Sequence, residues 1–187
     1  MEYVEAFRRV EDINSIKRYL KKHSERDYTL FVIGINTGLK INEILELKRS
    51  DVLTSENIIK EHLKLKLDDE KETSVYVNAK VRSALQEYLT KLPTADDSYL
   101  FMSPKTNKPI TRQQAHRIIH QAVEAAGIDG KYGASSMRKT FGYHAYKQGV
   151  SVSLIQKHFH HASLAETMKY LGISEEEKIK TIIDVNL

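Results

Sequence analysis

Apolar positions in this chain follow two periods, and the changes between them divide it into elements. From Ile13 the residues Ile13, Ile16 and Leu20 recur at helical spacing with basic residues on the opposite side, which predicts an amphipathic helix of about three turns, with Asp12 available as its cap. Asp27 can cap a second helix, YTLFVIGIN, apolar nearly all round and stopped by Gly38; a helix of that kind belongs in a core. KINEILELKRSDV repeats the helical period through Ile41, Ile44, Leu45 and Leu47 and leaves Lys40 and Glu43 near its start. The period then shortens to two. Leu63, Leu65 and Leu67 alternate with His62, Lys64 and Lys66, and Val75 and Val77 continue the alternation beyond the charged turn DDEKE, which predicts a hairpin, with a third strand at NIIK.

Helical spacing returns at Val81, Ala84, Leu85 and Tyr88, followed by the loop LPTADDS and a short buried strand at YLFM. Thr111 and Gln114 form a capping box for TRQQAHRIIHQAVEAA, closed by Gly127, which sets Arg112, His116, Arg117 and His120 near one side. Three short helices follow. Ser135 or Ser136 caps the first, packed by Met137, Phe141 and Ala145 and stopped by Gly149; Val152, Leu154 and Ile155 anchor the second; Ser163 and Glu166 box the third, which carries Tyr170 before Gly172. Ser174 and Glu177 open a C-terminal helix whose Ile179, Ile182 and Ile183 either pack at home or dock on a neighbouring subunit. The fold class read from this pattern is mostly α (α+β), a helical bundle with a small antiparallel β-sheet.

At 187 residues, 41% apolar and 29% charged, the chain is read as one globular domain over 1–187. Without cysteine it has neither disulfides nor thiolate metal sites. No apolar run is long enough to span a membrane and MEYVEAF lacks a signal-peptide plan, so a cytoplasmic protein without membrane partners is expected. The net charge of +4 suits an anionic partner, and its distribution says more. Lys131, Arg138, Lys139, Lys147, Lys157 and Lys169 lie between positions 131 and 170 against one acid, Glu166. His158, His160 and His161 stand close together, but no HExxH pattern or cysteine accompanies them, so neither metal nor cofactor is expected.

TGLKINEILELKRSDV at 37–52, SMRKTFGYH at 136–144 and HHASLAETMKYLGI at 160–173 resemble, in order, the catalytic domain of the tyrosine recombinases, the phage integrase family. The resemblance implies cleavage and rejoining of double-stranded DNA through a 3′-phosphotyrosine, with Tyr170 as nucleophile, Arg138 as the second phosphate-binding arginine and His161 as the late histidine, nine positions before the tyrosine. It matches Glu43 to the acidic residue near the first arginine. That arginine falls on Lys40 and the histidine three residues before Arg138 falls on Ser135. The hairpin lysine falls near Asp68, leaving Lys66 and Lys71 as candidate acids. Arg112, Arg117, Lys139, Lys157 and Lys169 are the expected DNA-contacting cations. The chain is expected to begin at the catalytic domain, without the N-terminal DNA-clamping domain of full-length integrases, and to associate on DNA through its C-terminal helix. The alternatives are a non-catalytic DNA-binding descendant acting as repressor or accessory factor, and a protein-interaction module using the last helix.

Overall fold

The computed structural model describes residues 3–66, 72–93, 97–174, 176–178 and 185–186. Helix α1 (Val10–His23) buries Ile13, Ile16 and Leu20, with Glu11 and Asp12 in its first turn and Lys21, Lys22 and His23 in its last, the polarity a helix dipole favours. It starts two residues before Asp12, which therefore lies inside the first turn. Helix α2 (Glu25–Thr37) forms the centre of the bundle and is buried from Thr29 to Gly34. Its cap is Ser24, whose Oγ accepts the Asp27 N–H at 3.2 Å, rather than Asp27 itself. The expected continuous helix after Gly38 is two short ones, α3 (Ile41–Leu45) and α4 (Arg49–Val52). The break arises because the backbone at 47–49 pairs elsewhere: Leu47 O accepts from Leu100 N at 2.8 Å, Arg49 N donates to Ser98 O at 3.1 Å, and Lys48 bridges Tyr99.

Strands β1 (His62–Lys66) and β2 (Glu72–Tyr76) form the predicted antiparallel hairpin, in the register His62↔Tyr76 to Lys66↔Glu72. Leu63 and Val75 face inward and His62, Lys64 and Lys66 outward, as alternation requires. Among the described residues NIIK adds no third strand, for Ile59 makes only an isolated bridge to Leu53; YLFM likewise contributes single bridges at Tyr99 and Met102 around the buried Leu100 and Phe101. Helix α5 (Ala79–Leu89) is capped by Asn78, and α6 (Arg112–Ala125) by the reciprocal Thr111–Gln114 box at 3.1 and 2.7 Å.

Helix α7 (Ala134–Lys147) threads the interior, burying Met137, Thr140, Tyr143 and Tyr146 on several sides, so its packing is wider than the stripe Met137–Phe141–Ala145. Its cap position is Gly133, and Ser136 acts from inside the first turn by accepting the Gly133 N–H at 3.0 Å. In α8 (Val152–Phe159) the buried anchors are Ile155 and Phe159, while Leu154 is 57% exposed. Ser163 caps α9 (Leu164–Leu171) by accepting from Glu166 N, and Glu166 returns a bond to the Ala162 N–H. Ile155, Phe159, Leu171 and Tyr146 make a small second core that holds α8 and α9 on α7, beside the main core of α1, α2, α5 and α6. Each such fully buried side chain contributes about 1.5–3 kcal/mol. The Ser174–Glu177 box is present, with both bonds at 3.1–3.2 Å, but Ile179, Ile182 and Ile183 lie outside the described residues.

Candidate active site

Arg138 projects from α7 and is bound by the loops ending two other elements. Its Nη1 donates to Gly38 O at 2.6 Å and its Nη2 to Phe159 O at 2.9 Å, while the guanidinium lies 4.3 Å from the centre of the Phe159 ring. Two carbonyls thus satisfy part of the fork and orient the remaining N–H groups. The carbonyl of Gly38 is available because Gly38 closes α2 in the left-handed conformation, φ +68°. Burial lowers the arginine's pKa, and Tyr170 and Glu43 oppose it.

Tyr170, one residue before the end of α9, brings its hydroxyl within hydrogen-bonding reach of Arg138. Its ring meets His161 at 5.0 Å and Phe159 at 5.4 Å, both nearly edge-on. Burial pushes the phenol above its ordinary pKa, and Arg138 pulls it back by charge and hydrogen bond. That balance keeps the tyrosine protonated until something removes the proton.

His161 follows α8, after His160 turns the chain at φ +57°. Its Nδ1 lies 2.9 Å from Thr167 Oγ1, and that hydroxyl donates to Ser163 O at 3.2 Å. With the hydroxyl proton so committed, Nδ1–H donates to Thr167 and Nε2 is left as an acceptor. Burial lowers the imidazole's pKa, Glu166 opposes, and Arg138 and Lys40 add to the lowering. Lys40 therefore stands close enough for its charge to be felt at His161, although it is exposed at the start of α3. Glu43 accepts the Lys40 backbone N–H at 2.7 Å, holding the first turn of α3, and acts electrostatically on Arg138.

Tyr170, Arg138 and His161 are thus drawn from α7, the α8–α9 loop and α9 to one place around Phe159, with Lys40 and Glu43 at the start of α3 within range of their charge. Ser135 is half-buried in the first turn of α7, one helical turn before Arg138. Lys66 ends β1, exposed and opposite Glu72, without a contact to this group; Lys71 lies outside the described residues. Arg112, Arg117, Lys157 and Lys169 are exposed. Lys139 is not a surface cation: it is 9% exposed and its Nζ donates to Val4 O at 2.9 Å. A lysine following a helical arginine turns about 100° away from it, and here that direction is inward.

Sequence reasoning missed the supports. His158 binds Thr37 O at 2.7 Å through Nε2 and packs on Phe141, and burial lowers its pKa. Phe159, Thr167 and the Gly38 carbonyl orient the cluster; of these only Gly38 carried a signal, as a helix stop. No grouping of described residues is suited to hold a metal. No helix among them is long and apolar enough to cross a membrane.

The arrangement offers an oxygen nucleophile beside a fixed guanidinium, an imidazole acceptor and a second cation, which suits attack on a phosphodiester. Comparison with known proteins agrees. At 35% identity over 176 residues, the chain is similar to the protein described as "Probable integrase/recombinase YoeC" of Bacillus subtilis (strain 168), covering 94% of this chain and 93% of that protein. It is 26% identical to a tyrosine recombinase of Pseudothermotoga lettingae over 159 residues, 85% of this chain and 54% of the relative, so it spans about half of that protein. The fold matches the XerA recombinase with a TM-score of 0.76 at 23% identity, over 94% of this chain and 63% of XerA. It also matches XerH bound to difH substrate, at 0.73 and 22%, over 94% of this chain and 52% of XerH. Residues 6–177, which contain the whole cluster, match the phage integrase family, and the chain belongs to that family.

Proposed function

We propose that this chain cleaves and rejoins DNA strands through Tyr170. The observation that carries the reading is the convergence of Tyr170, Arg138 and His161, with Lys40 in electrostatic range, from segments far apart in sequence. Tyr170 Oη bonds the phosphorus as the bond to the leaving 5′ oxygen breaks, giving a 3′-phosphotyrosine that conserves the bond energy for rejoining. Arg138 and Lys40 take the non-bridging oxygens, and His161 Nε2 accepts the proton that Tyr170 Oη loses. The leaving oxygen needs a proton, which we assign to the hairpin at Lys66 or Lys71. Exposed Arg112, Arg117, Lys157 and Lys169 supply contacts to the duplex backbone. XerH and a lambda integrase dimer share this fold and were solved on DNA.

The finer reading is that copies associate on DNA through the segment after Ser174. A groove of about 660 Å³ lined by Val10, Ile13, Phe141, Leu154 and Ile155 offers an apolar seat for the stripe Ile179, Ile182 and Ile183 of a second copy. Single cysteines placed at Leu154 and Ile182 would cross-link between copies if so, and only within one copy if the stripe packs at home.

The decisive experiment incubates the protein and Tyr170→Phe with nicked duplexes of random central sequence and isolates denaturant-resistant protein–DNA adducts. Adducts from the unaltered protein alone are expected. Retained binding without any adduct would establish the non-catalytic reading, which Lys40 and Ser135 at arginine and histidine positions favour. Absence of both binding and adduct would leave the interaction module.

A further inference from the structure

Lys139 is the buried cation that the cleavage chemistry leaves unused. Its ammonium donates to Val4 O at 2.9 Å and has no carboxylate partner among the described residues. Instead it lies over two aromatic rings, 4.2 Å from the centre of Tyr3 and 5.1 Å from the centre of Tyr170. Burying an unpaired charge is costly, and ring faces with a carbonyl are the groups that offset the cost here. The geometry around Tyr170 is therefore closed on several sides. His161 and Phe159 meet the ring nearly edge-on, Lys139 meets its face, and the charge of Arg138, the preceding residue of the same helix, acts on the hydroxyl. Consecutive positions on one turn of α7 thus hold opposite ends of one side chain.

The ammonium is itself held by the segment before α1. Phe7 N donates to Thr140 Oγ1 at 2.9 Å, His144 Nε2 lies 2.8 Å from Phe7 O, and Arg8 Nη2 donates to Gly172 O at 2.7 Å, at the end of the helix carrying Tyr170. Residues 3–8 form a strap across α7 and the end of α9, with the Val4 carbonyl aimed at Lys139. Contact with the ring rather than the hydroxyl means that Lys139 acts through Tyr170's orientation, not by touching the phosphate.

We propose that Lys139 is a positioning residue for the nucleophile: its strap-held ammonium clamps the Tyr170 ring and keeps the hydroxyl on Arg138. This rests on Tyr170 being the nucleophile, and the test separates the two. Lys139→Met retains length without charge, Lys139→Arg retains a cation, and Tyr3→Ser opens the exposed wall of the clamp, where Tyr3 is 58% exposed and replaceable without loss of core. With ring-labelled tyrosine, the carbon NMR signal of Tyr170 is assigned by its disappearance in Tyr170→Phe. The Met variant is expected to shift and broaden that signal and to slow single-turnover adduct formation about 10-fold, the order of a lost desolvated cation–π contact. DNA affinity should be unchanged. Lys139→Arg should restore signal and rate in large part, and Tyr3→Ser should move both in the same direction as Met but less.

An unchanged Tyr170 signal in Lys139→Met and Tyr3→Ser overturns the clamp, whatever happens to melting temperature. So does a perturbed signal with an unaltered adduct rate. If the unaltered protein forms no adduct, cleavage fails as a function, while a Tyr170 signal perturbed by Met and restored by Arg still supports the clamp and an unperturbed one still refutes it.

Discussion

Gly38 carries two duties at once, and replacing it separates them. Its φ of +68° closes α2, its carbonyl takes Arg138 Nη1 at 2.6 Å, and a Cβ placed there would stand 2.4 Å from Phe141 Cδ1. Gly38→Ala must therefore bear a left-handed alanine, about 1–2 kcal/mol, and an overpacked contact against an aromatic ring, about 1–3 kcal/mol. Together these predict a loss of roughly 2–5 kcal/mol. In a chain of this size about 3 kcal/mol lowers the melting temperature by about 6–12 °C. Gly127 supplies an internal control, because its φ is +66° but nothing lies within 4 Å of its Cβ position. Gly127→Ala should lose only the conformational part. The contact part is isolated by a cycle with Phe141→Ala, where the pair should be less destabilised than the sum by about 1–3 kcal/mol. Urea unfolding at constant m-value measures the unaltered protein and each of these variants. Equal losses at Gly38 and Gly127, or no coupling with Phe141, would refute the packing argument. Adduct formation should fall in Gly38→Ala beyond the loss of folded protein, since the carbonyl that aims Arg138 moves with it.

Lys40→Arg restores a planar fork at the first arginine position, where the side chain is exposed and has room; adduct formation should accelerate about 10-fold, and an unchanged rate would show that Lys40 does not reach the phosphate. Burial lowers the pKa of both His158 and His161, so between the folded and unfolded values the unfolded chain binds more protons. Their stability is present above about pH 6.5 and is lost as pH falls through the folded values, so unfolding free energy should drop from pH 7.5 to 5.5, and less so in His158→Gln. Arg112→Ala and Arg117→Ala should each reduce the slope of log binding constant against log salt by about 0.9, whereas Lys139→Met should leave it unaltered; equal slopes in all three would remove α6 from the DNA face.

Much of the helical framework was legible before any coordinates. Thr111 with Gln114 and Ser163 with Glu166 announce helix starts because a short side-chain oxygen satisfies a nearby N–H, a local interaction written within four residues. The β1–β2 alternation was equally local, and the order of Arg138, His161 and Tyr170 gave the family's signature. Other boundaries were decided at a distance. The break between α3 and α4 depends on pairing with residues 98–100, about fifty positions away, and NIIK stays a bridge because Ile59 pairs with Leu53 rather than with the hairpin.

The sequence by itself determined which residue types were present for phosphoryl chemistry and where they departed from the family, at Lys40 and Ser135. Only the tertiary structure decided what each cation faces. Arg138 and Lys139 are adjacent basic residues in sequence, yet one is anchored by two carbonyls near Tyr170 and the other is buried against the face of the same tyrosine's ring. The physical reason is that a helix turns neighbouring side chains to different sides, and which side meets solvent, carbonyl or ring is set by segments distant in the chain: the strap at residues 3–8, the end of α2 and the end of α8.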